Sequence, residues 1–345
     1  MGPLHSGLGV MPLAVVGNPA NRRVTLFLDA VRRAGLPAPE VYPWRDVLVS
    51  GRVPGPDCLV RIDSPGEDAE VDQLLRSGSP ALDGQILGTA AAFAGLRVAL
   101  ARVEAGGGTL LNQPADILTM TSKPDCHALL SAAGIPVPDA LPPVSGYAEL
   151  RASGWNRVFV KPAYGSSASG VLALAASGRR VMAVTSVELS GGLLFNSLRV
   201  RRYDDESTIA AIVDGLAPDG LHVERWFPKA SLGDRVLDLR VLVIAGEPRH
   251  IVVRTSRSPM TNLHLGNARG DVDAVRAAAG ETAWAAAMET CARVGALFPR
   301  TLHVGVDLMF RAGWRDHAVA EVNAFGDLLN GHDTYGDQVA AICVR

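Results

Sequence analysis

The last third of the chain holds two long stretches, 238–256 and 303–325, that each read as a pair of antiparallel strands, with an Ala-rich helical segment over 271–298 between them. Side chains along a strand alternate between two faces, so each stretch gives one face to a core and leaves the other free for chemistry. In HVGVDLMF and HAVAEVNAF, Val304, Val306, Leu308 and Val322 fall on one face, while Glu321 and Asn323 share the other. A hairpin centred on Trp314 sets Asp307 opposite Glu321 and Gly305 opposite Asn323. Facing carboxylates repel unless something neutralises them, and oxygen-only donors on a rigid sheet suit Mg2+ when it also holds substrate phosphates. A bulge in the hairpin would instead shift the pair and leave two solvated acids.

The stretch DLRVLVIAGEPRHIVVRTSR has the same form. A turn centred on Glu247 sets Arg240 opposite Arg254, with Asp238 on the face of Arg240. Two adjacent guanidiniums ask for an anion such as phosphate or carboxylate, although exposed arginines on a solvent face need none. A cationic pair and an anionic pair on one sheet form the electrostatic outline of phosphoryl transfer.

Only three of the 33 basic residues are lysines: Lys123, Lys161 and Lys229. A lysine reaches a phosphate oxygen as a compact point charge, without the planar fork of arginine. Lys161 ends the strand-like run VFVKP, and the loop after it (Gly165, Ser166, Ser167, Ala168, Ser169, Gly170) is built of side chains small enough for backbone N–H groups to approach phosphate oxygens. A flexible hairpin tip has the same composition. The sequence has no Gly-Lys-Ser/Thr, so the loop is not a P-loop. Lys123 opens a helix candidate with Ser122 as N-cap, Pro124 in the first turn and Gly134 as the stop.

Upstream, 13–16, Gly-Asn-Pro and a helical run over 23–34 make a strand-turn-helix opening. A strand at 58–62 and helices near 67–76 and 85–95 complete a Rossmann-like unit. Arg61, Asp63 and Ser64 lie at a strand end, where α/β folds place ligand contacts. Further strands are expected at 158–162, 171–174 and 181–185, with a helix over 206–215. HVERWFP offers Glu224 as an acceptor beside a planar base, and Asn262, His264 and Asn267 sit in a long polar loop.

A formal charge of −2 excludes a global field for nucleic acid or anionic membrane, and 48% hydrophobic residues suit an ordinary globular protein. Four scattered cysteines show neither zinc nor disulfide spacing, which fits a reducing cytoplasm. No export signal or membrane span is read, and Met11 is a candidate start after a ten-residue leader.

Lys123 ahead of GIPVP, VFVKP with its Gly-Ser loop, VERWFPK, DLRV, the Arg254 region with NLHLG, then VD and EVN form a series that resembles the ATP-grasp superfamily over about 112–330. The similarity is greatest to the branch of ribosomal-protein glutamate ligases and glutathione synthetases, within a little-described bacterial subfamily. It implies an α/β (α+β) fold of three units: a Rossmann-like pre-ATP-grasp domain (1–111), a small lid domain (112–221) and a C-terminal domain with the metal site (222–345). It implies ATP and Mg2+ as cofactors, with Mn2+ as a substitute. Lys123, Lys161 and the Gly165–Gly170 loop would hold phosphates. Glu224, Arg225 and the backbone of Trp226 would line the adenine site, with Lys229 just past the hinge and Asp234 the nearest ribose candidate. Asp307, Glu321 and Asn323 would hold the metal, and Arg240 and Arg254 the γ-phosphate or acyl phosphate. The implied reaction is ADP-forming ligation of a small-molecule or peptide carboxylate to an amine or other nucleophile, in a cytoplasmic protein; the oligomeric state stays open, a homodimer being frequent among such ligases. A small-molecule kinase and a non-catalytic nucleotide-binding regulator are the alternatives. The stretch 187–206, with Asn196, Arg199, Arg201 and Arg202, matches no generic motif and reads as a substrate-facing insertion.

Overall fold

The computed structural model of the 345-residue chain describes residues 11–165 and 169–344, so Ser166, Ser167 and Ala168 of the Gly-Ser loop lie outside the described residues. Its first unit is a parallel sheet of β1 (Leu13–Val16), β2 (Glu40–Tyr42), β3 (Leu59–Ile62) and β4 (Thr109–Leu110) in the order β2-β1-β3-β4. Helix α1 (Arg22–Arg33) follows β1 and is capped by the Asn21 side chain, which accepts from the Arg23 N–H. Helices α2 (Trp44–Val49), α3 (Ala69–Leu75) and α4 (Thr89–Ala105) follow, and the last begins later and runs ten residues further than the 85–95 expected from sequence.

Next in the chain, α5 (Pro114–Thr121) and α6 (Lys123–Ala132) bury Ile117, Met120, Cys126 and Leu130 in the same core as the C-terminal sheet. Their apolar side chains therefore share a core with the first unit and the C-terminal sheet. Helix α7 (Tyr147–Ala152) then leads into an antiparallel sheet of β5 (Arg157–Pro162), β6 (Leu172–Ser177), β7 (Arg180–Ser190), β8 (Leu193–Tyr203) and β9 (Leu221–Arg225), ordered β8-β7-β6-β5-β9. Helix α8 (Glu206–Leu216) buries Ile209, Ile212 and Val213 against Val158, Val160 and Leu172 of this sheet. Strand β9 pairs with β5 from Val158 to Pro162, so the middle sheet extends through Arg225.

The third unit is an antiparallel sheet of β10 (Ser231–Leu232), β11 (Arg235–Ile244), β12 (Glu247–Ser256), β13 (Ala268–Gly270), β14 (His303–Phe310) and β15 (His317–Asn323), ordered β13-β12-β11-β14-β15 with β10 on β11. The Ala-rich segment is two helices, α9 (Val272–Ala279) and α10 (Glu281–Ala296), broken at Gly280, whose φ of 76° no helix accepts. Trp284, Ala287, Cys291 and Val294 of α10 share a core with Val241, Val243, Val304 and Val306, and the opposite face carries Asp238, Arg240 and Asp307 at one end and an apolar cluster of Leu242, Ile244 and Val252 at the other.

Helix α11 (Thr334–Val344) returns to the first unit, where Tyr335 and Val339 pack with Val24, Phe27 and Val31 of α1. Beside them Arg61 is buried, with Nη2 at 2.6 Å from Asp327 Oδ2 and its guanidinium 4.5 Å from the Phe27 ring centre. Arg61 and Asp63 thus tie the first unit to the C-terminal segment. Among the described residues no helix is long and apolar enough to cross a membrane.

Candidate active site

An open cleft between the middle and C-terminal sheets brings together Lys123, Lys161, Lys229, Glu224, Arg254, Asp307 and Glu321. The scarce lysines therefore share one cavity although they come from α6, β5 and the connector after β9.

Lys123 is placed by the start of α6. Its N–H donates to Ala163 O at 2.9 Å, sewing the helix to the segment that enters the Gly-Ser loop. Its ammonium donates to Gly165 O at 2.7 Å and lies 3.4 Å from Glu321 Oε1. Lys161, near the end of β5, donates to Glu224 Oε2 at 2.7 Å and to Ala320 O at 3.3 Å. Burial alone pushes the Glu224 pKa up, but the charge of Lys161 and the hydrogen bond from His222 outweigh it and hold the carboxyl at about 2. Glu224 is therefore anionic at any working pH.

The metal-type pair forms by a route the sequence did not reveal. Asp307 faces Glu321 and Gly305 faces Asn323, as expected. Nearer the turn, however, Phe310 pairs with His317 and Leu308 with Val319, so the hairpin centres between Gly313 and Trp314, both at positive φ. One extra residue, Ala320, bulges from β15 and restores the Asp307–Glu321 pairing. Its carbonyl is the one that receives Lys161. At the far end of the pair, Gly305 and Gly326 approach so closely that a Cβ on either would meet the other backbone at 2.8 Å. Asn323 Nδ2 points to Gly305 O at 3.4 Å, which leaves its Oδ1 as the donor toward a cation.

The arginine pair is corrected. Arg254 stands opposite Asp238, not opposite Arg240, and Arg240 stands opposite Asp307 on β14. The turn falls on Ala245 and Gly246 (φ 51° and 86°), a tight hairpin, and a bulge at Arg249, between the partners of Leu242 and Val243, leaves a net register shift of two residues near the arginines. A shift of two keeps every side chain on its face. The two arginines consequently still share a surface with Asp238 and Asp307, and the four form an alternating ladder. Lys229 Nζ lies 3.0 Å from Asp238 Oδ2, Arg254 Nε 2.7 Å from Asp238 Oδ1, and Arg254 Nη2 3.1 Å from Asp307 Oδ2. Arg240 closes the series with both Nε and Nη2 on the Asp307 carboxylate. Three cations against two carboxylates leave one net positive charge. Burial pushes both aspartates up, but Arg254 and Lys229 at Asp238, and Arg240 and Arg254 at Asp307, hold both well below the carboxylate range. Burial also lowers the pKa of Lys229, against the opposing pull of Asp238.

Thr261 hydrogen-bonds both Asp238 and Lys229, at 2.7 Å from the latter, and so fastens the long polar loop to this ladder. Sequence reading singled out that loop but not this residue, whose neighbours carried the more conspicuous side chains. In the same loop Asn262 borders the cleft, Asn267 only ties Met260 O and Asn262 O, and His264 is exposed.

Two hinge expectations change. The Trp226 N–H donates to Arg157 O at 3.0 Å, and the indole is covered by Arg157, so its amide is already engaged. Phe227 borders the cleft, and among the described residues its N–H has no acceptor. Arg225 borders the cleft too, with its guanidinium 4.0 Å over the Trp155 ring. Asp234 is exposed, pairs with Arg257 and stands outside the cleft. The 187–206 stretch forms most of the β7–β8 hairpin, where Arg201 pairs with Glu188, Arg202 with Asp204, and β8 binds the Gly84–Ile86 segment of the first unit. None of these residues borders the cleft.

The depressed carboxylates predict an acid limit to stability. Glu224 has an ordinary value of 4.5 and a folded value of about 2, so its contribution is complete above 4.5 and is lost as the pH falls toward 2. The urea midpoint is expected to be flat from pH 8 to 7, to begin to fall below about pH 6.5, where burial holds the His303 imidazole down at about 4, and to fall more steeply below about pH 5 as the carboxylates take up protons. A midpoint that rises on acidification would contradict the assigned pairings.

No protein-family model matches the sequence, and no curated protein is significantly similar to it. Solved structures are similar in fold. D-cycloserine synthetase DcsG has a TM-score of 0.58 at 18% identity, covering 96% of this chain and 99% of that one. The ATP-grasp ligase PsnB complexed with a minimal precursor has a TM-score of 0.55 at 17% identity, covering 97% and 99%. The D-alanine–D-alanine ligase of Bacillus anthracis complexed with ATP has a TM-score of 0.52 at 12% identity, covering 97% of each. The chain has the ATP-grasp fold, with a Rossmann-like parallel sheet at its N-terminus.

Proposed function

On an ATP-grasp fold with this cleft, we propose that the protein is a magnesium-ATP ligase that activates a carboxylate as an acyl phosphate, releases ADP, and joins the acyl group to an amine. The observation that carries the reading is the ladder Lys229–Asp238–Arg254–Asp307, facing Lys123 and Lys161 across one cleft, with Arg240 paired to Asp307 off the cleft lining. Such a surface offers an excess of positive charge in a low-dielectric cleft, where charge migrates during phosphoryl transfer.

Lys123 and Lys161 bind the phosphates. The Phe227 N–H reads the edge of the adenine, which transfers the part expected of Trp226 to its neighbour, while Glu224 holds Lys161. Asp307, Glu321 and Asn323 supply oxygen donors from paired strands, a set that fits Mg2+. A metal held by these residues would neutralise phosphate charge. Arg254 and Arg240 orient the γ-phosphoryl group. A substrate carboxylate oxygen attacks the γ-phosphorus, and the bond to the ADP oxygen breaks. The amine nitrogen then attacks the acyl carbon, phosphate leaves, and one proton is released. Positioning supplies much of the rate, and the protein provides no covalent nucleophile. The carboxylate belongs to a small molecule or a peptide, and four cysteines without disulfide partners suit a cytoplasmic location.

Hydroxylamine trapping tests this. With ATP, Mg2+ and a panel of amino acid and peptide carboxylates, hydroxamate is expected to form in step with ADP. ADP formed with a phosphorylated hydroxyl acceptor and no hydroxamate would make the protein a kinase. ATP binding without turnover on any acceptor would make it a nucleotide-dependent regulator.

A further inference from the structure

Behind Lys161 lies a second layer of polar contacts that the proposed reaction does not use. His222 stands directly opposite Lys161 across the β5–β9 ladder and is 5% exposed. Its Nε2 is 2.8 Å from Glu224 Oε1, while Glu224 Oε2 takes the Lys161 ammonium at 2.7 Å. On the other side the His222 ring lies 5.2 Å from that of His127, whose Nε2 meets Pro138 O at 2.8 Å. An ionised carboxylate only accepts, so the proton of the His222–Glu224 contact is on Nε2 and His222 donates it.

We propose that His222 is a positioning residue for nucleotide binding: its N–H fixes the Glu224 carboxylate, and the fixed carboxylate holds Lys161 in the orientation that meets a phosphate. The inference rests on the cleft being the ATP site. The physical need is plain. Lys161 ends a flexible four-carbon stem, and Glu224 is itself a rotatable side chain, so one ion pair between them leaves both free to turn together. A second hydrogen bond to the other carboxylate oxygen removes that freedom, because a planar carboxylate held at both oxygens has one orientation. Burial strengthens the arrangement and makes an unpaired oxygen on Glu224 costly. Ala320 O, freed by the β15 bulge, is the third point of the cradle and faces the ammonium from the C-terminal sheet. Lys161 is thus held from both sheets, and His222 governs the lid side.

Two variants separate a positioning role from packing. His222→Phe keeps a ring against His127 and removes the donor, whereas His222→Gln keeps an N–H donor. By calorimetry the Phe variant is expected to bind ATP about tenfold more weakly, and the Gln variant within about threefold of wild type. In turnover, KM for ATP should rise in the Phe variant while kcat at saturating ATP changes by less than about twofold. The chain has only three lysines, so ammonium-detected NMR of lysine-labelled protein should show the Lys161 signal shifted or broadened in the Phe variant and retained in the Gln variant. Wild-type ATP affinity in the Phe variant overturns the proposal. So does a Gln variant as weak as Phe, or a Phe variant that fails to fold, since the histidine then serves packing or the fold itself. Failure of the wild-type chain to bind magnesium-ATP at all would refute the nucleotide reading instead, which is a separate result.

Discussion

Replacing Glu321 by Gln is expected to lower magnesium-dependent ATP turnover on the order of a thousandfold while leaving the protein folded. The side chain is 28% exposed, and its charged neighbour is Lys123 at 3.4 Å, so the amide is accommodated without burying an unpaired charge. What changes is the site's charge. Asp307 is committed to Arg240 and Arg254 and Asn323 is neutral, which makes Glu321 the carboxylate with the least internal compensation among the three proposed donors. Without it a divalent cation meets one compensated acid and one amide. ADP release followed against Mg2+ concentration, beside the thermal unfolding midpoint, checks both halves. Near-normal turnover in the variant would remove Glu321 from the metal site.

Arg254→Met is expected to cost about 3–5 kcal/mol of stability and to abolish turnover. Arg254 is 8% exposed and bridges Asp238 and Asp307, so its loss leaves two buried carboxylates with one fewer cation each. Arg254→Lys should recover little, because one ammonium cannot span two carboxylates as the planar fork does. The loss should be smaller at pH 5 than at pH 8. Once Arg254 is gone, the aspartate pKa values rise, and a proton taken up at lower pH relieves the repulsion. Urea unfolding at the two pH values measures this. A Met variant within about 1 kcal/mol of wild type would show that the ladder does not act as a coupled unit.

Much of this arrangement is legible in the chain itself. Alternation placed Val304, Val306, Leu308 and Val322 on the core face and Asp238, Arg240 and Arg254 together on the other, and the latter survived the two-residue error because an even shift leaves faces unchanged; beyond the Ala320 bulge alternation fails, since Val319 enters the same core as Val322. The N-cap at Ser122, the strand ending near Lys161 and the stop at Gly134 followed from local chemistry, since caps and turns depend on neighbours in sequence. The rarity of lysine pointed to three residues that do meet in one cleft.

What the chain alone did not decide was which charge opposes which. The partner of Arg254 depended on the positive-φ turn at Ala245–Gly246 together with a bulge at Arg249, and the pairing of Asp307 with Glu321 on a bulge at Ala320, each a local choice of backbone. Lys229 gained a place only when Asp238 and Thr261 came beside it, and Arg61 became an internal tie only because α11 folds back onto α1. Periodicity reports a residue's face, because that depends on the strand's own geometry. Partners across a sheet, or between sheets far apart in sequence, are fixed by the packing of the whole chain, and only the tertiary structure determines them.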